Sequence, residues 1–180
     1  MNQTEELLLQ KMNEIGVTAA AVLPTEKIPF DPELRKSCEV NRCGAYGKNW
    51  ACPPLVGPVE ELIASAKTYR VAVVFQNVYR IEDSFDIEGM QEAAKRHKET
   101  VRKIYESPAM PADSVMLGAG GCDYCERCAA MDGEPCRFPG KAFASLEAYG
   151  VYVSELAEAC GLNYINGVNT ITYFGAVLVR

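Results

Sequence analysis

The chain has 180 residues, of which 48% are hydrophobic and 23% charged, and its formal net charge is −6. This size suits one domain with its own hydrophobic core, so we expect residues 1–180 to form a single domain. The acidic balance leaves no broad basic surface for neutralising phosphates, so binding to nucleic acid is not expected.

Hydrophobic periodicity predicts about four helices and four strands, interleaved along the chain. The helices are expected at residues 4–15, 58–68, 86–106 and 143–160, the last with a candidate break at Gly150. The strands are expected at residues 17–23, 70–79, 115–117 and 171–179. This pattern predicts an α/β or α+β fold, with helices packed on a mixed sheet of about four strands.

The first residues, Met1-Asn2-Gln3, lack the cationic and apolar regions of a secretory signal. No run of 18 apolar residues exists, so we expect no membrane span and no membrane partner. These features predict a cytoplasmic protein. Thiols stay reduced in that compartment, so the eight cysteines are not interpreted as four disulfides, and the clustered ones indicate metal or redox chemistry.

The strongest chemical signal is the second cysteine segment, at residues 118–140. Its cysteines follow the spacing C-x2-C-x2-C-x7-C, and glycines precede them. Three thiolates two residues apart can wrap one small inorganic group, and the ferredoxin motif C-x2-C-x2-C-x3-C-P has the same first half. The segment therefore predicts an iron–sulfur cluster of the 4Fe-4S type with ligands Cys122, Cys125 and Cys128, and Cys136 is a fourth candidate ligand.

Zinc is the main alternative to iron, and four buried structural thiols are the plainest one. Structural zinc usually takes two C-x2-C pairs, or cysteine together with histidine. A triple run leaves its middle thiolate without a clear role, and the single histidine, His97, falls in the middle of a predicted helix. The spacing favours iron–sulfur over zinc.

The first cysteine segment, at residues 36–56, supplies Cys38, Cys43 and Cys52 in a loop rich in glycine and proline. These three thiols predict a second cluster site, although their looser spacing also fits a structural loop. Cys136 can close its own site or serve this one. If it closes its own, one iron here is open to water or substrate and can act as a Lewis acid. Trp50, in the same loop, is either a shield for a cluster or a core anchor.

Three other features are given structural interpretations. Cys160 ends an amphipathic helix and is expected to pack as a small apolar side chain, outside the ligand set. His97 lies on the apolar face of a helix and is interpreted as a packed core histidine. The turn at 118–121 resembles a phosphate-binding turn but lacks the full G-x-G-x-x-G spacing, so nucleotide binding is not predicted.

Over roughly residues 30–180, the chain resembles a prokaryotic family of predicted metal-binding proteins, a domain of unknown function. The residues that carry this resemblance are Cys38, Cys43, Gly44, Tyr46–Lys48, Trp50, Cys52-Pro53-Pro54, Gly121-Cys122, Cys125, Cys128, Pro135-Cys136-Arg137, Pro139, Ser145, Glu147 and Gly150. The resemblance implies metal binding, a cytoplasmic setting and a history in anaerobic metabolism. It implies no particular reaction.

The prediction is therefore a single metal-binding domain that holds one or two iron–sulfur clusters and serves electron transfer or redox metabolism. One alternative is an enzyme that uses an open-iron 4Fe-4S cluster for sulfur removal or dehydration. A zinc-bound structural or interaction module is the other. The expected partner is a redox protein or a small-molecule substrate, and whether the chain is an enzyme stays open, because no acid–base pair stands out.

Overall fold

The computed structural model describes all residues 1–180, which form one four-stranded sheet and five α-helices. The helices are α1 Gln3–Ile15, α2 Arg35–Glu39, α3 Val59–Ala66, α4 Ile87–Tyr105 and α5 Val153–Ala159. The strands are β1 Ala19–Pro24, β2 Val71–Arg80, β3 Ser114–Leu117 and β4 Thr170–Val179. None of the helices combines the length and the apolar character that crossing a bilayer requires.

The sheet order is β1-β2-β4-β3, and each neighbouring pair is antiparallel. The predicted four-stranded sheet with packed helices is confirmed as an α+β fold. The sheet is antiparallel throughout rather than mixed, because β4 lies between β2 and β3. Those two strands run in the same direction but never pair with each other.

The helix predicted at residues 143–160 is only partly formed. A 3-10 turn at Glu147–Tyr149 ends at Gly150, which has a φ of 68°, and α5 begins three residues later. The backbone of Gly150 accepts a 2.6 Å hydrogen bond from the N–H of Asp31. A Cβ atom at position 150 would stand 2.8 Å from the Asp31 carbonyl oxygen, so only glycine lets these segments meet. This tertiary contact replaces the helical continuation.

Alternate residues of the strands face two separate hydrophobic cores. One core packs α1 and α4 on the sheet, through Leu8, Met12, Val73, Phe75, Val101, Ile104 and Val177. The other packs α5 and the 144–151 segment on the opposite face, through Val74, Leu146, Val151, Leu156, Ala157, Phe174 and Leu178. Both faces of the sheet are therefore covered.

The second cysteine segment begins where β3 ends. The N–H of Gly118 donates to the Ala144 carbonyl at 2.9 Å, and the Gly118 carbonyl accepts from the N–H of Leu146 at 3.1 Å. These bonds hold the start of the segment against the chain that returns to the sheet after it. The loop from Ala119 to Phe143 is thus fixed at both ends.

Candidate metal centre

The four cysteines of the second segment line one cavity. Apart from Arg137, its walls are thiol, aromatic and aliphatic side chains. The lining residues are Trp50, Cys122, Tyr124, Cys125, Cys128, Ala129, Cys136, Arg137, Phe138 and Ala142. The structure thus brings Cys136 to the same cavity as the C-x2-C-x2-C run, despite the seven-residue gap.

Local contacts explain how the chain returns over that gap. A 3-10 turn at Ala129–Asp132 ends at Gly133, whose φ of 72° reverses the backbone. The Arg127 guanidinium then pairs with Asp132 at 2.6 Å. Arg137 donates a 2.8 Å hydrogen bond to the Arg127 carbonyl, which closes the loop. These bonds place the residue after Cys136 against the residue before Cys128.

Most backbone N–H groups of this loop are not used in secondary structure. No N–H of residues 119–130 donates a hydrogen bond to a backbone carbonyl of the chain. Sulfur atoms of a metal–thiolate centre can accept hydrogen bonds from such N–H groups. The donor set suits a bound group rich in sulfur.

The first segment holds its cysteines on one helix and one irregular loop. Cys38 lies in α2 and is half-buried, Cys43 is exposed, and Cys52 is half-buried. Asn41, at a φ of 55°, accepts a 3.1 Å hydrogen bond from the N–H of Tyr46 and shapes the loop between them. The three thiols lie close enough for their charges to interact.

The two cysteine segments touch each other. The indole Nε1 of Trp50 donates to the Glu134 carbonyl at 3.1 Å. Gly121 packs on the first segment so closely that a Cβ atom there would stand 3.1 Å from Asn49 Nδ2 and 3.3 Å from Cys52 Sγ. Trp50 is therefore a wall of the second segment's cavity, as the shielding interpretation requires.

Burial shifts the pKa values of three cysteine thiols in the same direction. It raises the pKa of Cys38, Cys52 and Cys122 above the ordinary thiol value. A hydrogen bond from Asn49 opposes this effect at Cys52, and one from the Tyr124 backbone opposes it at Cys122. These thiols are therefore protonated at neutral pH unless a cation stabilises the thiolate.

Helix α4 holds the C-x2-C turn from outside. The carboxylate of Asp123 pairs with Arg102, and it lies 3.4 Å from Lys98 Nζ. The Arg102 guanidinium also stacks 4.8 Å above the Tyr124 ring. Cysteine spacing does not predict these contacts. Their signal is the pair of cations at i and i+4 on α4 together with an aspartate inside the cysteine run.

The thiols of the second segment line one cavity, but they do not converge on a single point. No group of three or more cysteine, histidine, aspartate or glutamate side chains is arranged so that it could hold one metal ion. None of the eight cysteines forms a disulfide. The structure thus joins the two segments, and the assignment of their cysteines as ligands stays a prediction.

Cys160 and His97 lie away from the cysteine segments, as expected. Cys160 packs against the hydrophobic core, where burial raises its pKa to about 11. His97, on α4, is fully buried beside the rings of Phe75 and Tyr173. Both residues have the structural roles that the sequence predicts.

The model of a protein family described as "Predicted metal-binding protein (DUF2284)" matches residues 21–179 of the chain. This span includes all eight cysteines. No curated protein and no solved structure matches the chain.

Proposed function

Since the chain belongs to this family of predicted metal-binding proteins, we propose that it binds an iron–sulfur cluster through Cys122, Cys125, Cys128 and Cys136. Its proposed role is electron transfer or redox metabolism in the cytoplasm, where the thiols stay reduced. When bound, such a cluster supplies one-electron transfer. The partner would be a redox protein or a small-molecule substrate.

The observation that carries the proposal is the single cavity lined by these four cysteines. Its remaining walls are mainly apolar, and an apolar, partly shielded setting is one of the features that tune a cluster's reduction potential. The N–H groups of residues 119–130 donate to no backbone carbonyl, so they add candidate donors for the sulfur atoms. Trp50 covers the cavity from the first segment.

The shape of the cavity favours a cluster over one zinc ion. Structural zinc holds four ligands about 2.3 Å from a single point when they are thiolates. The cysteines of the second segment instead line one cavity without converging on a single point. A group with several metal atoms fits that spacing better, and the C-x2-C-x2-C run is typical of such groups.

The first segment supports a second candidate function. Because Cys136 lines the cavity of its own segment, Cys38, Cys43 and Cys52 are left as three thiols. Three protein ligands leave one position of a cubane cluster free for water or substrate. The chain would then be an enzyme in which Cys38, Cys43 and Cys52 bind the catalytic metal group.

Anaerobic isolation followed by iron, zinc and acid-labile sulfide analysis tests the first proposal. Iron and sulfide in equal amounts, with visible absorption that bleaches on reduction, are the expected result. Zinc without sulfide, or a colourless metal-free protein, would overturn it.

Cysteine variants assign the ligands. Cys136→Ala is expected to lose or alter the cluster of the second segment, whereas Cys160→Ala, the matched control, keeps the native spectrum. One cluster that survives Cys52→Ala but not Cys136→Ala would leave the first segment without a metal role. Two clusters, of which Cys52→Ala removes one, would support the enzyme candidate.

A further inference from the structure

A second, more open cavity lies between α4 and the turn Gly118–Gly121. Val101 and Phe143 contribute apolar walls, and Cys122 and Tyr124 separate it from the cavity of the four cysteines. The charged side chains that line it are Lys98, Arg102, Asp123 and Lys141. None of these four is a predicted metal ligand.

The lining is cationic in an acidic chain. Three positive charges, from Lys98, Arg102 and Lys141, face one negative charge, from Asp123, so the sum is +2, whereas the whole chain carries −6. Glu106, outside the lining, lies 3.2 Å from Lys141 Nζ. Lys98 and Arg102 are one-quarter to one-third exposed. Partly shielded cations attract an anion more strongly than cations in free solvent do.

The turn itself provides backbone donors. Residues 119–122 line the cavity, and none of their N–H groups bonds to a backbone carbonyl. Gly120 has a φ of 70°, the left-handed conformation that recurs where successive N–H groups surround an anion. The absence of Cβ atoms at three of the four positions of Gly118–Gly121 lets a ligand approach the backbone.

The geometry points to a binding site for the phosphate group of a small molecule, formed by Lys98, Arg102, Lys141 and the backbone of residues 119–122. The lining stays net positive even when Glu106 beside Lys141 is counted, so it attracts a phosphate group, whose oxygens can accept hydrogen bonds from the cations and the backbone N–H groups. Asp123 keeps the cations in place before the ligand arrives. The bound group would lie directly beside Cys122, so the small molecule would reach the edge of the metal cavity.

Titration calorimetry of the anaerobically isolated full chain with inorganic phosphate at pH 8 tests this site. Ionic strength is held constant with sodium chloride, and acetate serves as the carboxylate comparison. We expect saturable binding of phosphate that Lys98→Gln weakens at least about tenfold. Lys103→Gln is the matched control, because Lys103 is an exposed residue of α4 outside the lining. It removes the same charge and should change the affinity by less than about twofold.

Lys141→Gln is a second test variant, needed in case Lys98→Gln disturbs the loop. It leaves the contacts of Asp123 with α4 intact. A similar weakening in Lys141→Gln, with native metal content and melting temperature, would support the site even if Lys98→Gln disturbs the loop. Absence of saturable phosphate binding in the native chain would overturn it. Equal weakening by Lys103→Gln, or equal binding of acetate, would overturn it as well. Metal and sulfide content are measured separately, so the iron–sulfur proposal can fail without this one.

Discussion

Trp50 Nε1 donates a 3.1 Å hydrogen bond to the carbonyl oxygen of Glu134, across 84 positions of sequence. The bond ties the first cysteine segment to the second, two residues before Cys136. The indole ring of Trp50 is also part of the wall around the four cysteines. The first segment therefore completes the cavity of the second, whether or not it binds metal itself.

Trp50 should report on metal binding directly. It is the only tryptophan, so fluorescence excited selectively at the indole comes from this wall. We expect strong quenching when iron and sulfide are reconstituted anaerobically, because the ring borders the bound group. Cys136→Ala should show much weaker quenching under the same conditions. Equal quenching in both proteins would place the bound group elsewhere.

The hydrogen bond of Trp50 makes a separate contribution to stability. Trp50→Phe keeps an aromatic wall but removes the donor, and it should lower the free energy of unfolding by about 1 kcal/mol. The cluster should also be lost faster in air, because the loops open more easily. Tyr152→Phe, at a side chain that is 44% exposed, is the control. Unfolding by urea and the decay of visible absorption measure the two effects.

Gly121 sets the distance between the segments. In Gly121→Ala, the new methyl group meets Asn49 Nδ2 at 3.1 Å and Cys52 Sγ at 3.3 Å, which is too close without movement. We expect destabilisation of about 1–3 kcal/mol and a loss of metal content. Gly118→Ala is the matched control, because its Cβ would meet only Val101, at an ordinary 3.8 Å. Similar metal contents in the two variants would contradict this role for Gly121.

The sequence predicts the strands well because β-branched runs and helical periodicity are local signals. The strand predicted at 171–179 differs from β4, Thr170–Val179, by one residue. The order of the strands is not local information, and the position of β4 between β2 and β3 could not be read from periodicity. The helix predicted at 143–160 forms only after its candidate break at Gly150, because the contact between Gly150 and Asp31 joins distant segments.

The candidate site, like the fold, could be predicted from the sequence only in part. Cysteine spacing identifies the residues of each segment, since three thiols two positions apart are neighbours in any loop. The meeting of Cys136 with the other three depends on Arg137 and the Arg127 carbonyl. The ion pairs of Asp123 with Lys98 and Arg102 depend on how α4 packs on the sheet. The first relationship has no signature in cysteine spacing, and the second is signalled only by two cations at i and i+4 of α4 and an aspartate in the cysteine run.

Metal binding should release protons and weaken in acid. Burial raises the pKa of Cys38, Cys52 and Cys122, so the metal-free thiols are protonated at pH 7 and must lose protons to become ligands. Affinity should therefore rise with pH up to the raised thiol pKa values. Calorimetry in two buffers of different ionisation enthalpy, using zinc as the probe ion, counts the protons. Zero release at pH 7 would contradict the raised pKa values.

His97 should make the fold sensitive to acid. Its side chain is fully buried, and Nδ1 lies 3.1 Å from Asn77 Oδ1. The centroids of the Phe75 and Tyr173 rings lie 5.9 and 5.6 Å from the centroid of the imidazole ring. Nε2 has no hydrogen-bond partner of normal geometry, although the nearby Phe174 backbone favours the charged form slightly. Burial is the larger effect, and it lowers the pKa of His97 from 6.5 to about 4.

The sign of the effect follows from which state binds the proton. Between pH 6.5 and 4 the unfolded chain protonates His97 and the folded chain does not, so stability falls as the pH falls. The loss should reach about 3 kcal/mol by pH 4. His97→Gln removes the only histidine, so the difference between its urea-unfolding curves and those of the native chain isolates this group. A native chain whose stability falls no faster than that of His97→Gln over this range would show that His97 is protonated in the folded state.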